Sequence, residues 1–158
     1  ILLNDNNRLI SQLAKGGDCH ICTAPNVADN KQLIDAIVSR YKGKTVLVDL
    51  WETWCGPCMS GLIQMENIKE KLKKEGVVFV YIACSSSPKK TWEERIKRIG
   101  GEQYYLSDKE KDAIMDGFGF DGIPSYVIYD KEGHLKNKFT GFPGNDNMQS
   151  LIEDVMRQ

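Results

Sequence analysis

The segment TVLVDLWETWCGPC, residues 45–58, joins an apolar, largely β-branched run to two cysteines separated by Gly56-Pro57. Residues 45–51 are apolar almost throughout, without the alternation of a half-buried strand. Such a run reads as a central strand covered on both faces, the signature of a parallel sheet. A helix follows from about Pro57 to Lys74, with Leu62, Met65, Ile68 and Leu72 on one face. Pro57 suits a helix start because its missing N–H has no intrahelical partner there. Cys55 and Cys58 therefore stand where a strand hands over to a helix.

That position has chemical consequences. A thiol at a helix N-terminus meets unpaired N–H groups and the positive end of the helix dipole, which favour the thiolate. Cys55 sits at this point, and Cys58 lies one turn further in. The pair can perform thiol–disulfide exchange: Cys55 attacks, and Cys58 resolves the mixed disulfide. The competing readings are a zinc knuckle and an inert disulfide. Zinc calls for a second ligand pair about 12–20 residues on, and only Cys84 follows Cys58. The redox reading is preferred.

Working outward, Asp29 can cap a helix over roughly 30–41, with Leu33, Ile34, Ile37 and Val38 at helical spacing. Residues 77–83 read as a second buried strand and 88–100 as a helix. Tyr104–Leu106 reads as a short strand and Lys109–Asp116 as a short helix. Residues 125–139 form a hairpin that turns at Asp130-Lys131-Glu132-Gly133, and Asn145–Arg157 closes the chain as a helix. Near the start, a short helix or strand is expected around Leu9–Leu13, then a loop carrying Cys19 and Cys22. The fold class is α/β: a mixed central sheet with a parallel βαβ unit and a C-terminal antiparallel hairpin, flanked by helices. The expected division is an N-terminal extension, 1–28, and one domain, 29–158.

Composition narrows the function. The chain has 158 residues, 41% hydrophobic, which suffices for a core without disulfide staples. Lys+Arg is 21 and Asp+Glu 22, a net charge of -1, so nothing electrostatic invites nucleic acid or an anionic membrane surface. No apolar run approaches the ~20 residues of a membrane span. The sequence begins at Ile1, without Met or a basic-then-apolar leader, as expected of a processed or truncated chain from which a targeting signal could have been removed.

"VLVDLWETWCGPC" resembles the active-site segment of the thioredoxin superfamily, and "FGFDGIPSYVIYDKEGHL" is similar to that family's second signature, a cis-proline loop before a hairpin. The insertion between them, about 83–108, and the added N-terminal segment resemble the extracytoplasmic TlpA/ResA-type branch. The resemblance covers about 30–157. It implies a thioredoxin fold, with Cys55 the attacking thiol, Cys58 the buried resolving thiol and Asp49 the buried acid that relays a proton for Cys58. It places Trp54, Gly56, Pro57, Ile123, Pro124 and Gly141 along a substrate groove, with the Ile123 backbone pairing with an extended substrate. It implies a monomeric protein-disulfide reductase of the cell envelope or periplasm, the cytoplasm being the alternative. The Gly56-Pro57 dipeptide favours a reducing protein. The dithiol serves as redox centre with no further cofactor and no metal. Electrons arrive from an upstream dithiol donor and leave to oxidised protein substrates. Two positions depart from the pattern. The strand 77–83 has no lysine to accompany the buried acid, and Gly61 stands where ResA-type reductants of cytochrome c maturation carry a glutamate.

Cys19-His20-Ile21-Cys22 has the same cysteine spacing without the strand–helix context. Its readings are a local structural or regulatory disulfide, a pair of free thiols, or a metal site short of ligands. Cys84 reads as a buried small apolar residue or a third redox thiol. Trp51 and Trp92 read as core, His134 as exposed, and "KEKLKK" (69–74) as a solvated helix face. Two other functions compete: a thiol peroxidase, whose Pro-x-x-x-Thr/Ser-x-x-Cys setting is absent, and a binding module of the same fold without turnover, against which intact Cys55, Cys58 and Pro124 speak.

Overall fold

The computed structural model describes residues 19–158, so the element expected near Leu9–Leu13 lies outside the described residues. In chain order the elements are β1 (Cys19–Cys22), a 3₁₀ turn (Asn30–Gln32), α1 (Leu33–Ser39), β2 (Thr45–Leu50), α2 (Gly56–Lys74) and β3 (Val77–Cys84). Then come α3 (Lys89–Ile99), β4 (Gly101–Leu106), α4 (Asp108–Phe118), β5 (Ser125–Tyr129), β6 (Leu135–Thr140) and α5 (Asn145–Met156). One sheet of order β1-β4-β3-β2-β5-β6 holds all these strands. The first four run parallel; β5 and β6 are antiparallel to their neighbours. This is the expected mixed sheet.

All six residues of β2 are buried, as its unbroken apolar run demands. Alternation sends its side chains to opposite faces. Leu47 packs with Leu62 and Met65 of α2, Trp92 and Ile96 of α3, and Met148 and Ile152 of α5. On the other face, Val46, Val48 and Leu50 meet Leu33 and Ile37 of α1 and Ile114 of α4. Fully burying one such aliphatic side chain contributes about 1.5–3 kcal/mol, so these two layers fix where β2 ends. The redox motif begins at that end.

Three expectations need correction. Cys19–Cys22 is not a loop but edge strand β1, paired with β4 in the register Cys19↔Gly101 and Cys22↔Tyr104. Its side chains are only half covered or exposed, so it carries little hydrophobic pattern. The short strand expected at Tyr104–Leu106 is twice as long, because it starts at Gly101. Gly101 has φ +73°, and a Cβ there would lie 2.7 Å from Cε2 of Tyr81; the glycine lets the strand pass close to β3. The first helix is also shorter than 30–41. Asp29 accepts from the Lys31 amide at 3.0 Å, but it caps the 3₁₀ turn, and α1 ends at Ser39.

Candidate functional site

Cys55 is the N-cap of α2. Its Sγ accepts from the Cys58 amide at 3.2 Å, which satisfies one of the helix's orphan donors. Cys55 and Cys58 are joined as a disulfide with Cα atoms 5.2 Å apart, at the start of the helix. Cys58 is fully buried under the helix, while Gly56 and Pro57 are exposed beside it. The Cys55 Sγ lies 3.8 Å from the Ile123 carbonyl oxygen. The Ile123–Pro124 peptide is cis, and the Pro124 carbonyl accepts from the Gly141 amide at 2.8 Å. Trp54, 63% exposed, donates its indole N–H to Ser86 Oγ at 3.1 Å. The fold thus gathers Trp54, Gly56, Pro57, Ile123, Pro124 and Gly141 around the dithiol.

Asp49 lies on the same face of β2 as Trp51, one step from the motif. It is 1% exposed, and neither carboxylate oxygen has a hydrogen-bond partner. In register it sits between Tyr81 of β3 and Tyr126 of β5, whose buried hydroxyls are also unpartnered. Burial pushes its pKa up to about 7, against the opposing pull of Lys69 and Lys111. A carboxyl poised there can take or give a proton at neutral pH.

Lys69 corrects two expectations. Residues 69–74 are not a uniformly solvated face: Lys69 and Leu72 are buried. Nor is the buried acid without a cation, since one arrives from α2 instead of the strand. The Lys69 ammonium donates to the Ile99 carbonyl at 2.5 Å, lies 3.4 Å from Glu66 and sits 4.8 Å above the Tyr81 ring. Burial brings its pKa down to about 8. Gly61 also finds a reason: a Cβ there would meet the Tyr126 hydroxyl at 3.1 Å and Phe142 at 3.2 Å.

Sequence reasoning missed Glu52. It is 1% exposed and pairs with the buried ammonium of Lys111 from α4. Its carboxylate also accepts from the Cys84 amide at 3.2 Å, the Cys84 thiol at 3.0 Å and Ser87 Oγ at 2.6 Å. Cys84 is thus buried, as expected, but hydrogen-bonded; burial, then the bond to Glu52, pushes its thiol up to about 11. An acid directly after the apolar run 45–51, between Trp51 and Trp54, was the available signal. Its partner lies 59 residues away and left none.

Cys19 and Cys22 are free thiols, so the local disulfide is overturned by the backbone. Three steps of strand span about 10 Å, and a disulfide needs Cα atoms within about 7 Å. The two side chains also face opposite ways: Cys19 packs against the α2–α3 side of the sheet and Cys22 against the α1 side. No group of three or more His, Cys, Asp or Glu able to hold a metal occurs among the described residues. Trp51 and Trp92 are core, and His134 is exposed beside Asp130, as read.

Residues 22–155 match the Redoxin family model. The chain belongs to the Redoxin family. The thiol-disulfide oxidoreductase ResA of Geobacillus kaustophilus is 26% identical over 75% of this chain and 67% of its own length. This Redoxin chain thus spans about two thirds of that relative. Two solved structures share its fold: a thiol:disulfide interchange protein from Bacteroides sp. (21% identical, TM-score 0.63, 73% of this chain and 76% of that one) and a thioredoxin family thiol:disulfide interchange protein from Chlorobium tepidum (22%, TM-score 0.62, 74% and 83%). The protein is a TlpA/ResA-like member of the thioredoxin superfamily, a thiol–disulfide oxidoreductase that carries its redox group in its own cysteines. No helix among the described residues is long and apolar enough to cross a membrane.

Proposed function

We propose that this Redoxin-family protein reduces disulfides in protein substrates outside the cytoplasm. In the reduced state the Cys55 thiolate attacks a substrate disulfide. One substrate sulfur leaves as thiolate, and the other is held on Cys55. Asp49 takes the proton of Cys58. The Cys58 thiolate then attacks the Cys55 sulfur, releases the second substrate thiolate and leaves Cys55–Cys58 oxidised. Two electrons have passed to the substrate, and an upstream dithiol returns them.

The observation that carries this reading is the placement of the pair. Cys55, 5% exposed, caps α2 beside the exposed Trp54, Gly56 and Pro57 and 3.8 Å from the Ile123 carbonyl, and Cys58, 1% exposed, lies one turn below. An extended substrate chain laid beside Ile123 brings its own disulfide to Cys55, with Trp54, Gly56, Pro57, Pro124 and Gly141 as the walls. The extension 1–28 and domain 29–158 act as one monomer in this reading. The test is trapping. Cys58→Ser should hold protein partners on Cys55 as mixed disulfides released by reductant, Cys55→Ser should hold none, and the wild type should reduce insulin. Failure of both trapping and insulin reduction sinks the reductase reading.

A further inference from the structure

The dithiol chemistry does not use Glu52, yet this buried carboxylate is the most heavily partnered side chain beside the dithiol. The segment that leads into Cys55 has few anchors of its own. Between Glu52 and Cys55 lie only Thr53 and Trp54. The Thr53 amide donates to Ser87 Oγ at 2.9 Å, and that hydroxyl donates on to Glu52 at 2.6 Å. Trp54 is tied through its indole to Ser86 at 3.1 Å. The Cys55 amide donates to the Glu52 carbonyl at 3.2 Å. Lys111 reaches across from α4 to the Glu52 carboxylate and to the Trp51 carbonyl, the latter at 2.9 Å. Tyr105 of β4 fastens the Ser87 carbonyl at 2.6 Å. One carboxylate thus joins three segments: the approach to the redox motif, the turn after β3, and α4.

A buried ion pair contributes little to stability on balance, because desolvation offsets its attraction. Fixing geometry is a better account of one that converges on four donors. A thiol is activated by the helix N-terminus only if it stays in the cap position, and a displacement of about 1 Å at a reacting group can cost ~10²-fold in rate. We propose that Glu52 is a positioning residue: it locks the 51–54 approach against the turn 84–87 and against α4, and so holds Cys55 in its cap and Trp54 in its place on the substrate rim. The insertion at about 83–108 then has a role at the dithiol, since it supplies Ser86 and Ser87, while α4 just after it supplies Lys111. The proposal rests on Cys55 being the attacking thiol.

Two variants test it. Ser87→Ala cuts the bridge between the Thr53 amide and Glu52 while leaving the ion pair. Glu52→Met with Lys111→Met replaces the pair by apolar volume, which buried ion pairs commonly tolerate without loss of fold. Ile37→Ala, in α1 on the far face of the sheet, serves as a comparison with a stability loss but no link to the loop. Thermal unfolding, amide exchange at Thr53 and Cys55, and the pH profile of Cys55 alkylation are measured on each reduced protein. The expected result is faster exchange at both amides, with alkylation at pH 7 slowed about tenfold and its midpoint moved to higher pH, in both loop variants and not in Ile37→Ala. If the folded loop variants alkylate at the wild-type rate with an unmoved profile, Glu52 is only a packing group and the proposal is wrong. Alkylation needs no substrate, so this outcome is separate from the fate of the reductase reading.

Discussion

Two Cys-x-x-Cys segments lie in one chain, with the same spacing and opposite outcomes. Cys55 and Cys58 straddle the first turn of α2, where the backbone curls and brings their Cα atoms to 5.2 Å. Cys19 and Cys22 lie in β1, where the backbone is extended and alternation turns them to opposite faces of the sheet. The first pair shares a disulfide; the second is two free thiols. The environments differ as well. Cys55 has a helix N-terminus that favours the thiolate, whereas burial pushes the Cys19 thiol upward. Spacing sets which thiols are near in sequence, and local backbone decides whether they can react with each other.

The largest expected effect comes from removing the central pair. Cys55→Ser should reduce insulin-disulfide turnover to that of buffer alone, and Cys58→Ser should do the same while accumulating mixed disulfide. Retained turnover in either would mean that another thiol, Cys19 or Cys22 foremost, substitutes for it, and the contrast would collapse.

Next is Asp49. Its raised pKa makes the carboxylate available only above about pH 7, so turnover limited by Cys58 deprotonation should climb through that pH. Asp49→Asn should flatten the climb and slow turnover by about 100-fold. Stability should move the other way. The folded protein holds the Asp49 proton up to about pH 7, whereas an unfolded aspartate loses it near 3.8. Its favourable contribution is therefore complete below about 3.8 and is lost as pH rises through about 7. At pH 8 the Asn variant should be the more stable by a few kcal/mol, since each tenfold difference in proton affinity between the folded and unfolded states is worth about 1.4 kcal/mol. Equal melting temperatures across pH 4–8 would contradict the burial argument.

Lys69→Met gives a smaller, sharper effect. The ammonium lowers the Asp49 pKa, so its loss should move the midpoint of the turnover profile upward while leaving the plateau at high pH in place. An unmoved midpoint would make Lys69 a packing residue for Tyr81 and Ile99.

How much of this was legible follows from range. The run 45–51, the Pro57 start and the period of α2 are local, so the strand–helix junction and its two cysteines could be read directly. The grouping of Ile123, Pro124 and Gly141 around them came through resemblance, because no local pattern brings residues so distant along the chain to Cys55. What stayed hidden was long-range pairing. β1 has an exposed, four-residue edge that shows as a strand only beside β4. Lys69 reads as one more lysine in a charged run until α2 turns it under the sheet toward Ile99. Glu52 and Lys111 are buried only because each neutralises the other.

The smallest effect should come from the edge pair. Cys19→Ser with Cys22→Ser removes two half-covered side chains at the sheet edge and should change stability by about 0.5 kcal/mol or less, with insulin turnover unchanged. A marked loss of turnover in a folded protein would mean that electrons pass through β1.

Backbone context, rather than cysteine spacing, selects the redox pair, and one titration tests this most directly. The protein is equilibrated across a series of glutathione redox buffers, quenched with acid, then denatured and alkylated, and each cysteine scored by mass spectrometry. The account predicts one reversible disulfide, Cys55–Cys58, with Cys19, Cys22 and Cys84 alkylated at every poise where the protein stays folded. A Cys19–Cys22 disulfide that forms in the folded protein at the same or a more reducing poise would contradict it.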